Sequence, residues 1–169
     1  PNPGNPNGPD SEWPGALPEK SQRAELKAKL AEKGLGLSGI AANLWGEKLI
    51  NTDDQSKYIA EFRKNAEFAH DLGIQGIRVD CVQPPTIHRE VDYDTALSRV
   101  VNTWKTCADI AADYGQYVTW EFEPGFAFNK PSDIVRVHDG VNKANFGLLY
   151  DTCHGQMVGV NGSRQEGEK

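Results

Sequence analysis

The stretch QYVTWEFEPG at residues 116–125 decides the fold. Its apolar and polar residues alternate and it stops at Pro-Gly, which is typical of a β-strand. Alternation places Val118, Trp120 and Phe122 on one face and Thr119, Glu121 and Glu123 on the other. The first face suits packing against helices. Two carboxylates on the second face need a counter-charge, hydrogen bonds or a cation.

Predicted helices and strands alternate on both sides of this strand. The helices cover residues 17–33, 52–73, 94–115 and 131–139, and the strands cover residues 36–45, 74–82, 116–123 and 145–151. We expect Thr52 to begin the second helix and Asp94 to cap the third. We expect residues 36–45 to form a buried strand that runs into a loop. An α-β order repeated four times implies a parallel sheet with right-handed crossovers.

Two architectures fit this order, a doubly wound open sheet and a (β/α)8 barrel. No glycine-rich nucleotide motif follows any predicted strand, so neither nucleotide fingerprint supports the open sheet. A complete barrel needs about 250 residues, so 169 residues would hold only a portion of one. We divide the chain into a Pro/Gly-rich loop or tail at 1–16, an α/β unit at 17–160 and a polar tail at 161–169, and interpret it as a piece of a larger protein.

Composition excludes several classes of function. The chain has 24 acidic and 18 basic residues and a net charge of −6, which disfavours nucleic-acid binding. No apolar run reaches the roughly 18 residues that a membrane span needs. The three cysteines, Cys81, Cys107 and Cys153, are widely spaced, which favours free thiols in a reducing cytosol. We therefore expect a cytoplasmic protein.

Polar residues gather where the predicted strands end, and ligands of parallel α/β folds bind outside those ends. Glu123 is the last residue of one strand, Asp151 ends the next, and His154 follows three residues later. A carboxylate with a nearby imidazole suits a divalent ion such as Mn, Mg, Co or Zn. The joint position of Glu123 and Asp151 on consecutive strands predicts a shared site.

Other polar residues have structural interpretations. A strand-end Asp such as Asp151 is often a helix cap, and Glu121 is expected to pair with Arg78 rather than act in catalysis. Cys153 lacks an identifiable base and is expected to be a packing residue. Of the remaining histidines, His70 and His138 are expected to be solvated on helices, and His88 is left undecided.

The segment WEFEPGFAFNKPSDIVRVHDGVNKANFGLLYDTCHGQM at 120–157 resembles the sugar phosphate isomerase/epimerase family, which has a xylose isomerase-like TIM barrel and belongs to the AP endonuclease family 2 superfamily. The segments GLGLSGIAANLW at 34–45 and LGIQGIRVD at 72–80 resemble its third and fourth strands. The resemblance covers residues 17–160. It implies an α/β fold that forms a partial (β/α)8 TIM barrel, roughly strands three to six.

The resemblance also implies roles for particular residues. The family's metal site takes Glu, Asp, His and Glu from strands five to eight, and Glu123 and Asp151 match the first two. The other two ligands have no counterpart in the chain, and half of a metal site binds weakly. His154 matches the family's substrate-contacting histidine. The candidate substrate-binding residues are His154, Asn129, Trp45 and Arg78.

The implied function is a metal-dependent isomerase or epimerase of a sugar, sugar phosphate or polyol, or a related dehydratase. Glu123 would move a proton next to a carbonyl through a metal-stabilised enediolate, and His154 would contact a substrate oxygen. The expected partner is a small carbohydrate, and a homo-oligomer is left open. Three alternatives remain. The first is an AP-endonuclease-like zinc hydrolase, which the acidic charge disfavours. The second is a non-catalytic half-barrel that needs a partner chain, and the third is a doubly wound binding domain without metal.

Overall fold

A computed structural model describes residues 17–161 of the protein, so the predictions for 1–16 and 162–169 lie outside the described residues. Within this range, the helices are α1 (Lys20–Glu32), α2 (Ser56–Leu72), α3 (Tyr93–Asp113), α4 (Pro131–Val141) and α5 (Thr152–Asn161), with a short 3₁₀ turn at Pro85–Arg89. The strands are β1 (Gly39–Ala41), β2 (Gly76–Val79), β3 (Tyr117–Glu121) and β4 (Phe146–Leu149).

The four strands form one parallel sheet in the order β1-β2-β3-β4. Ile77 of β2 lies between Ile40 of β1 and Val118 of β3, and Val118 in turn pairs with Phe146 of β4. Strands that are consecutive in the chain are therefore neighbours in space, each pair joined through a helix, as in the wall of a (β/α)8 barrel. The predicted α/β class and partial barrel are confirmed.

The hydrophobic core lies between one face of this sheet and the helices. Trp120 of β3 and Trp104 of α3 are both fully buried, with ring centroids 5.4 Å apart. The face predicted to pack against helices is confirmed by the burial of Val118 and Trp120 of β3 and of Phe122, which follows the strand. Other core residues are Phe62 and Ala66 of α2, Ala108 of α3 and Val137 of α4. Burial of these side chains is the main force that holds the helices on the sheet.

Helix α2 begins four residues later than Thr52, the predicted start. The backbone N–H of Asp54 donates to Thr52 Oγ1, and the N–H of Ser56 donates to Asp54 Oδ1. These local bonds hold a turn ahead of the helix, because short polar side chains compete with the helical hydrogen bonds. The predicted end is confirmed, since Gly73 adopts a left-handed conformation with φ of 79° directly after Leu72.

Helix α3 begins at Tyr93, and its N-cap is Asp92 rather than the predicted Asp94. Asp92 Oδ2 accepts a hydrogen bond from the backbone N–H of Thr95 at 3.1 Å. Asp94 lies inside the first turn, where its negative charge interacts favourably with the positive end of the helix dipole. Both acids carry a helix-start signal, and only the capping geometry distinguishes them.

The prediction of a strand running into a loop within residues 36–45 is confirmed, but the predicted burial of the strand is wrong. Only residues 39–41 pair with β2, and Gly39 and Ala41 are exposed. The reason is that β1 lies at the edge of the described sheet, so one of its sides lacks a neighbouring strand. The following residues Ala42 and Leu44 turn into the core and are buried.

The second face of the sheet forms an open groove of about 510 Å³. Its lining includes Ala41, Arg78, Thr119, Glu121 and Leu149. These residues come from all four strands, and on β2 and β3 they alternate with the side chains that pack against the helices. The groove thus lies on the face that a complete barrel would turn toward its axis.

The three cysteines are free thiols, as predicted. Cys81 and Cys107 are buried, whereas Cys153 is exposed. The predicted packing role of Cys153 is therefore wrong, because this residue lies in the first turn of α5 on its solvent side. His70 and His138 are exposed on their helices as predicted. No helix within residues 17–161 combines the length and apolar character that crossing a bilayer requires.

Candidate metal and substrate site

Five charged side chains converge at the carboxyl ends of three neighbouring strands. Arg78 lies at the end of β2 and Asp80 directly follows that strand. Glu121 is the last residue of β3, and Glu123 and Asp151 each lie two residues beyond the end of β3 and β4 respectively. Parallel strands bring their carboxyl ends to one edge of the sheet, which explains the gathering. This edge is where ligands bind in barrels of this type.

Arg78 is the centre of this cluster, because each nitrogen of its guanidinium binds a different carboxylate. Nη1 lies 2.5 Å from Glu121 Oε2, Nε lies 2.9 Å from Asp80 Oδ1, and Nη2 lies 2.9 Å from Glu123 Oε1. The pairing of Arg78 with Glu121 confirms the sequence-based prediction. The side chains of Asp80 and Glu121 are only 4% and 9% exposed, so these ion pairs are largely shielded from solvent.

The surroundings of Glu123 favour its protonated form. Burial raises the pKa of the Glu123 carboxyl, and the nearby charges of Asp80 and Glu121 raise it further, against the opposing effects of Arg78 and His154. A carboxyl whose pKa is raised takes up a proton more readily than an ordinary carboxyl. Glu123 therefore has the electrostatic character of a general acid or base.

Asp151 has a structural role as well as a place in the cluster. Its Oδ1 accepts hydrogen bonds from the backbone N–H groups of Cys153 at 2.7 Å and His154 at 3.1 Å, at the start of α5. These bonds stabilise the charged carboxylate and lower the pKa of Asp151. Since both bonds use Oδ1, the second oxygen is left for another partner.

His154 presents a polar atom that needs a partner. Its Nδ1 is buried and makes no hydrogen bond within the described residues, and the nearest carboxylate oxygen, Glu121 Oε1, lies 3.6 Å away. A buried nitrogen without a partner is costly, so a bound ion or a substrate oxygen at this point would satisfy it.

Two groups of side chains within residues 17–161 have ligand atoms close enough to hold a cation. The first comprises Glu121, Asp151 and His154, and the second comprises Asp80, Glu121 and Glu123, with all ligand atoms of a group within 4.8 Å of one another. Two carboxylates beside an imidazole with an unsatisfied nitrogen fit a divalent metal ion.

The first group pairs Asp151 with Glu121, whereas the sequence analysis paired Asp151 with Glu123. The strand ladder explains the difference, because β3 and β4 pair only as far as Glu121 and Leu149. Beyond that point Asp151 turns to cap α5, and Glu123 turns to Arg78. Sequence alternation places Glu121 on the same face as Glu123, so the pattern already offered Glu121 as a possible metal ligand. The sequence analysis assigned Glu121 only to the ion pair with Arg78.

The predicted substrate residues Trp45 and Asn129 have different surroundings. Trp45 is 40% exposed, and its Nε1 donates to Asp80 Oδ2 at 3.1 Å, which holds the ring at the rim of the cluster. Asn129 is buried, and its Nδ2 donates to the Pro124 carbonyl at 2.6 Å. Asn129 thus holds the loop after β3, and its contact with a substrate stays a prediction.

His88, which the sequence left undecided, lies in the 3₁₀ turn after β2. Its Nε2 lies 3.2 Å from the Ala127 carbonyl oxygen, and its ring contacts those of Tyr93 and Phe128. The residue therefore ties the turn after β2 to the loop after β3.

Curated proteins resemble the sequence of this chain over most of its length. It is 27% identical over 139 residues to "Inosose dehydratase 1" of Bacillus cereus, an alignment that covers 76% of this chain and 45% of that protein. The chain thus spans about half the length of the curated relatives it matches.

Two solved structures have the same arrangement. A D-psicose 3-epimerase crystallised in the presence of D-fructose superposes with a TM-score of 0.66 at 21% identity, over 83% of this chain and 51% of that one. A xylose isomerase-like TIM barrel protein from Mycobacterium smegmatis in complex with magnesium gives 0.59 at 22% identity, over 80% and 47%. These likenesses establish the fold.

The family model described as "Xylose isomerase-like TIM barrel" matches residues 6–167. The match spans nearly the whole chain and includes all four strands and the charged cluster at their ends. The chain belongs to the xylose isomerase-like TIM barrel family.

Proposed function

We propose that the protein is a metal-dependent enzyme that transfers a proton at a carbon next to a carbonyl group of a sugar or polyol. The observation that carries this proposal is the convergence of Glu121, Asp151 and His154 at the ends of two neighbouring strands. Isomerisation through an enediolate, epimerisation next to a carbonyl and the elimination of water next to a carbonyl can each begin with such a proton transfer. The names of the relatives, a dehydratase and an epimerase, support this common step.

The carboxylates of Glu121 and Asp151 would hold the ion. Mn, Mg, Co and Zn all suit this donor set, and a similar structure is recorded with magnesium. When bound, the ion supplies Lewis-acid polarisation of carbonyl and hydroxyl oxygens. Asp151 suits the role because its helix-capping bonds keep it charged and fix its orientation.

Glu123 would act as the proton acceptor and donor. Its carboxyl group lies beside the first group, shares Arg78 with Glu121, and has a raised pKa. His154 would hydrogen-bond a substrate oxygen through its unsatisfied Nδ1. These roles divide the cluster into a metal-holding part, a proton-transferring part and a substrate-orienting part.

The groove beneath the cluster and the ring of Trp45 would receive the carbohydrate. The groove is open, and its lining includes Arg78 and Glu121 of the cluster. Trp45, which donates a hydrogen bond to Asp80 of the same cluster, offers an exposed aromatic surface beside it. Aromatic faces pack well against the C–H surfaces of sugars while the hydroxyls face polar groups.

The test is proton exchange in heavy water. The protein is incubated with Mn²⁺ in D₂O and separately with ketoses and inososes, and deuterium at the carbon next to the carbonyl is followed by NMR. We expect incorporation that needs Mn²⁺ and is lost in Glu123→Gln. Exchange that proceeds equally in the E123Q variant, or none with any substrate in metal-loaded protein, would contradict the proposal.

A further inference from the structure

We propose that Arg78 is a positioning residue that limits the site to one divalent ion. Its guanidinium takes the place of a cation in the second group, formed by Asp80, Glu121 and Glu123, and so keeps a metal ion from binding there. This inference rests on the proposed function, because it concerns how many ions the cluster accepts. The observation that supports it is different from the one that supports the proposed function, because it is the binding of three carboxylates to one guanidinium.

The second group, of Asp80, Glu121 and Glu123, has the composition of a cation site, and Arg78 already occupies it. Each of the three carboxylates gives one oxygen to a different nitrogen of Arg78, at 2.5 to 2.9 Å. A guanidinium stays charged at every accessible pH, and its planar fork matches several carboxylates at once. A divalent ion would have to displace this permanent charge to bind there.

The remaining oxygen of Asp80 is also committed. Its Oδ1 accepts from Arg78 and its Oδ2 accepts from Trp45 Nε1 at 3.1 Å. Asp80 therefore has no oxygen free for metal while Arg78 and Trp45 are in place. Its side chain is only 4% exposed, so solvent does not compete for these bonds.

Glu121 links the two groups, and Arg78 divides its carboxylate between them. Oε2 binds Arg78, while Oε1 faces Nδ1 of His154 at 3.6 Å. The ion pair thus directs one oxygen of Glu121 toward the group that contains Asp151 and His154. Without the guanidinium, the same carboxylate could bridge two metal ions, an arrangement in which ions lie about 3.5–4 Å apart.

Removing the guanidinium should therefore add an ion. In Arg78→Met, three largely buried carboxylates lose their counter-charge, which is strongly unfavourable unless another cation enters. We expect the wild type to bind one Mn²⁺ per chain and the R78M variant to bind two. The two ions would share Glu121, so the electron paramagnetic resonance spectrum of R78M should show exchange coupling that the wild type lacks.

The experiment measures bound Mn²⁺ per chain by equilibrium dialysis, together with the spectrum, in the wild type and three arginine variants. Arg78→Lys keeps a charge at the same place and should bind one ion. Arg136→Met makes the same change at an exposed arginine over the Tyr93 ring and should also bind one. If R78M does not fold, Arg78→Gln, an uncharged variant whose amide can still hydrogen-bond a carboxylate and which keeps all three carboxylates, carries the same expectation of two.

The outcomes separate this inference from the proposed function. A wild type that binds no Mn²⁺ would refute the metal centre itself, and the inference with it. A wild type that binds one ion together with an R78M variant that also binds only one would refute the role of Arg78 alone. Two ions in the wild type, or in R78K, would also overturn the inference.

Discussion

Arg78 Nη1 lies 2.5 Å from Glu121 Oε2, and this ion pair leaves the other oxygen of Glu121 facing His154. The contact crosses from β2 to β3 near the carboxyl ends of both strands. It fixes which carboxylate oxygen is available to a metal. The chemistry that we propose depends on how the Glu121 carboxylate is shared, with one oxygen bound to Arg78 and the other left for a metal ion.

Asp151→Asn should abolish stabilisation by Mn²⁺ while leaving the metal-free protein almost as stable. Asn is as good an N-cap as Asp, so the loss without metal should stay within about 1 kcal/mol. Binding at 100 times the dissociation constant stabilises a native protein by about 2.7 kcal/mol, and D151N should lose this gain. Urea unfolding with and without Mn²⁺ measures both quantities. Undiminished stabilisation of D151N by Mn²⁺ would remove Asp151 from the site.

His154→Gln should weaken substrate binding more than metal binding. We assign the unsatisfied Nδ1 to a substrate oxygen, so Mn²⁺ affinity should change by less than about threefold. The KM for the reacting sugar should rise about tenfold, because the variant loses one hydrogen bond of about 1.4 kcal/mol to the substrate. The two constants are obtained from metal titration and steady-state kinetics. The opposite pattern, with Mn²⁺ affinity lost first, would make His154 a metal ligand.

Trp45→Ala and Trp45→Phe should separate the two roles of this side chain. The hydrogen bond from Nε1 to Asp80 is lost in both variants, but the aromatic surface is lost only in W45A. If the ring packs against the sugar, KM should rise three- to tenfold in W45A, about 1 kcal/mol, and change little in W45F. Equal kinetics in W45A and wild type would place the sugar elsewhere.

The buried thiols should make the protein less stable as the pH rises. Burial raises the pKa values of Cys81 and Cys107 above that of an unfolded thiol, which is about 8.5. Above that pH unfolding releases a proton from each thiol, so stability should fall by up to about 1.4 kcal/mol per pH unit for each one. Below pH 8 this dependence should vanish.

Urea unfolding between pH 7 and pH 10 measures the effect. Cys107→Ala should reduce the slope above pH 9, and Cys153→Ala, at an exposed thiol, should leave it unchanged. Equal slopes in the C107A variant and the wild type would show that Cys107 ionises as readily in the folded state as in the unfolded one.

Local patterns were enough to predict the order of helices and strands and a parallel sheet, whereas the choice of a barrel came from the family resemblance. The alternation in VTWEF and the helical spacing of Phe62, Ala66 and Ala69 both report burial on one face, and that face is the one that packs in the structure. Helix starts were less predictable, because Asp92 and Asp94 carry the same capping chemistry and differ only in backbone geometry. The exposure of β1 depends on its edge position, which no local pattern encodes.

The site was predictable in part. Sequence placed Glu121, Glu123 and Asp151 at one edge of the sheet, and the ion pair of Glu121 with Arg78 followed from charge on the same face. Which glutamate faces Asp151 depends on where the strand ladder ends and how the following turns rotate the side chains. The contacts of Arg78 with three carboxylates depend on the register between β2 and β3, which local sequence patterns do not encode.

The most direct test of the account compares Mn²⁺ affinity in Glu121→Gln and Glu123→Gln by isothermal titration. The two substitutions make the same chemical change on the same strand face, two residues apart. We predict that E121Q weakens Mn²⁺ binding at least tenfold and that E123Q changes it less than threefold while abolishing deuterium exchange. Normal Mn²⁺ affinity in E121Q, with loss of binding in E123Q, would contradict the convergence of Glu121 and Asp151 on one ion.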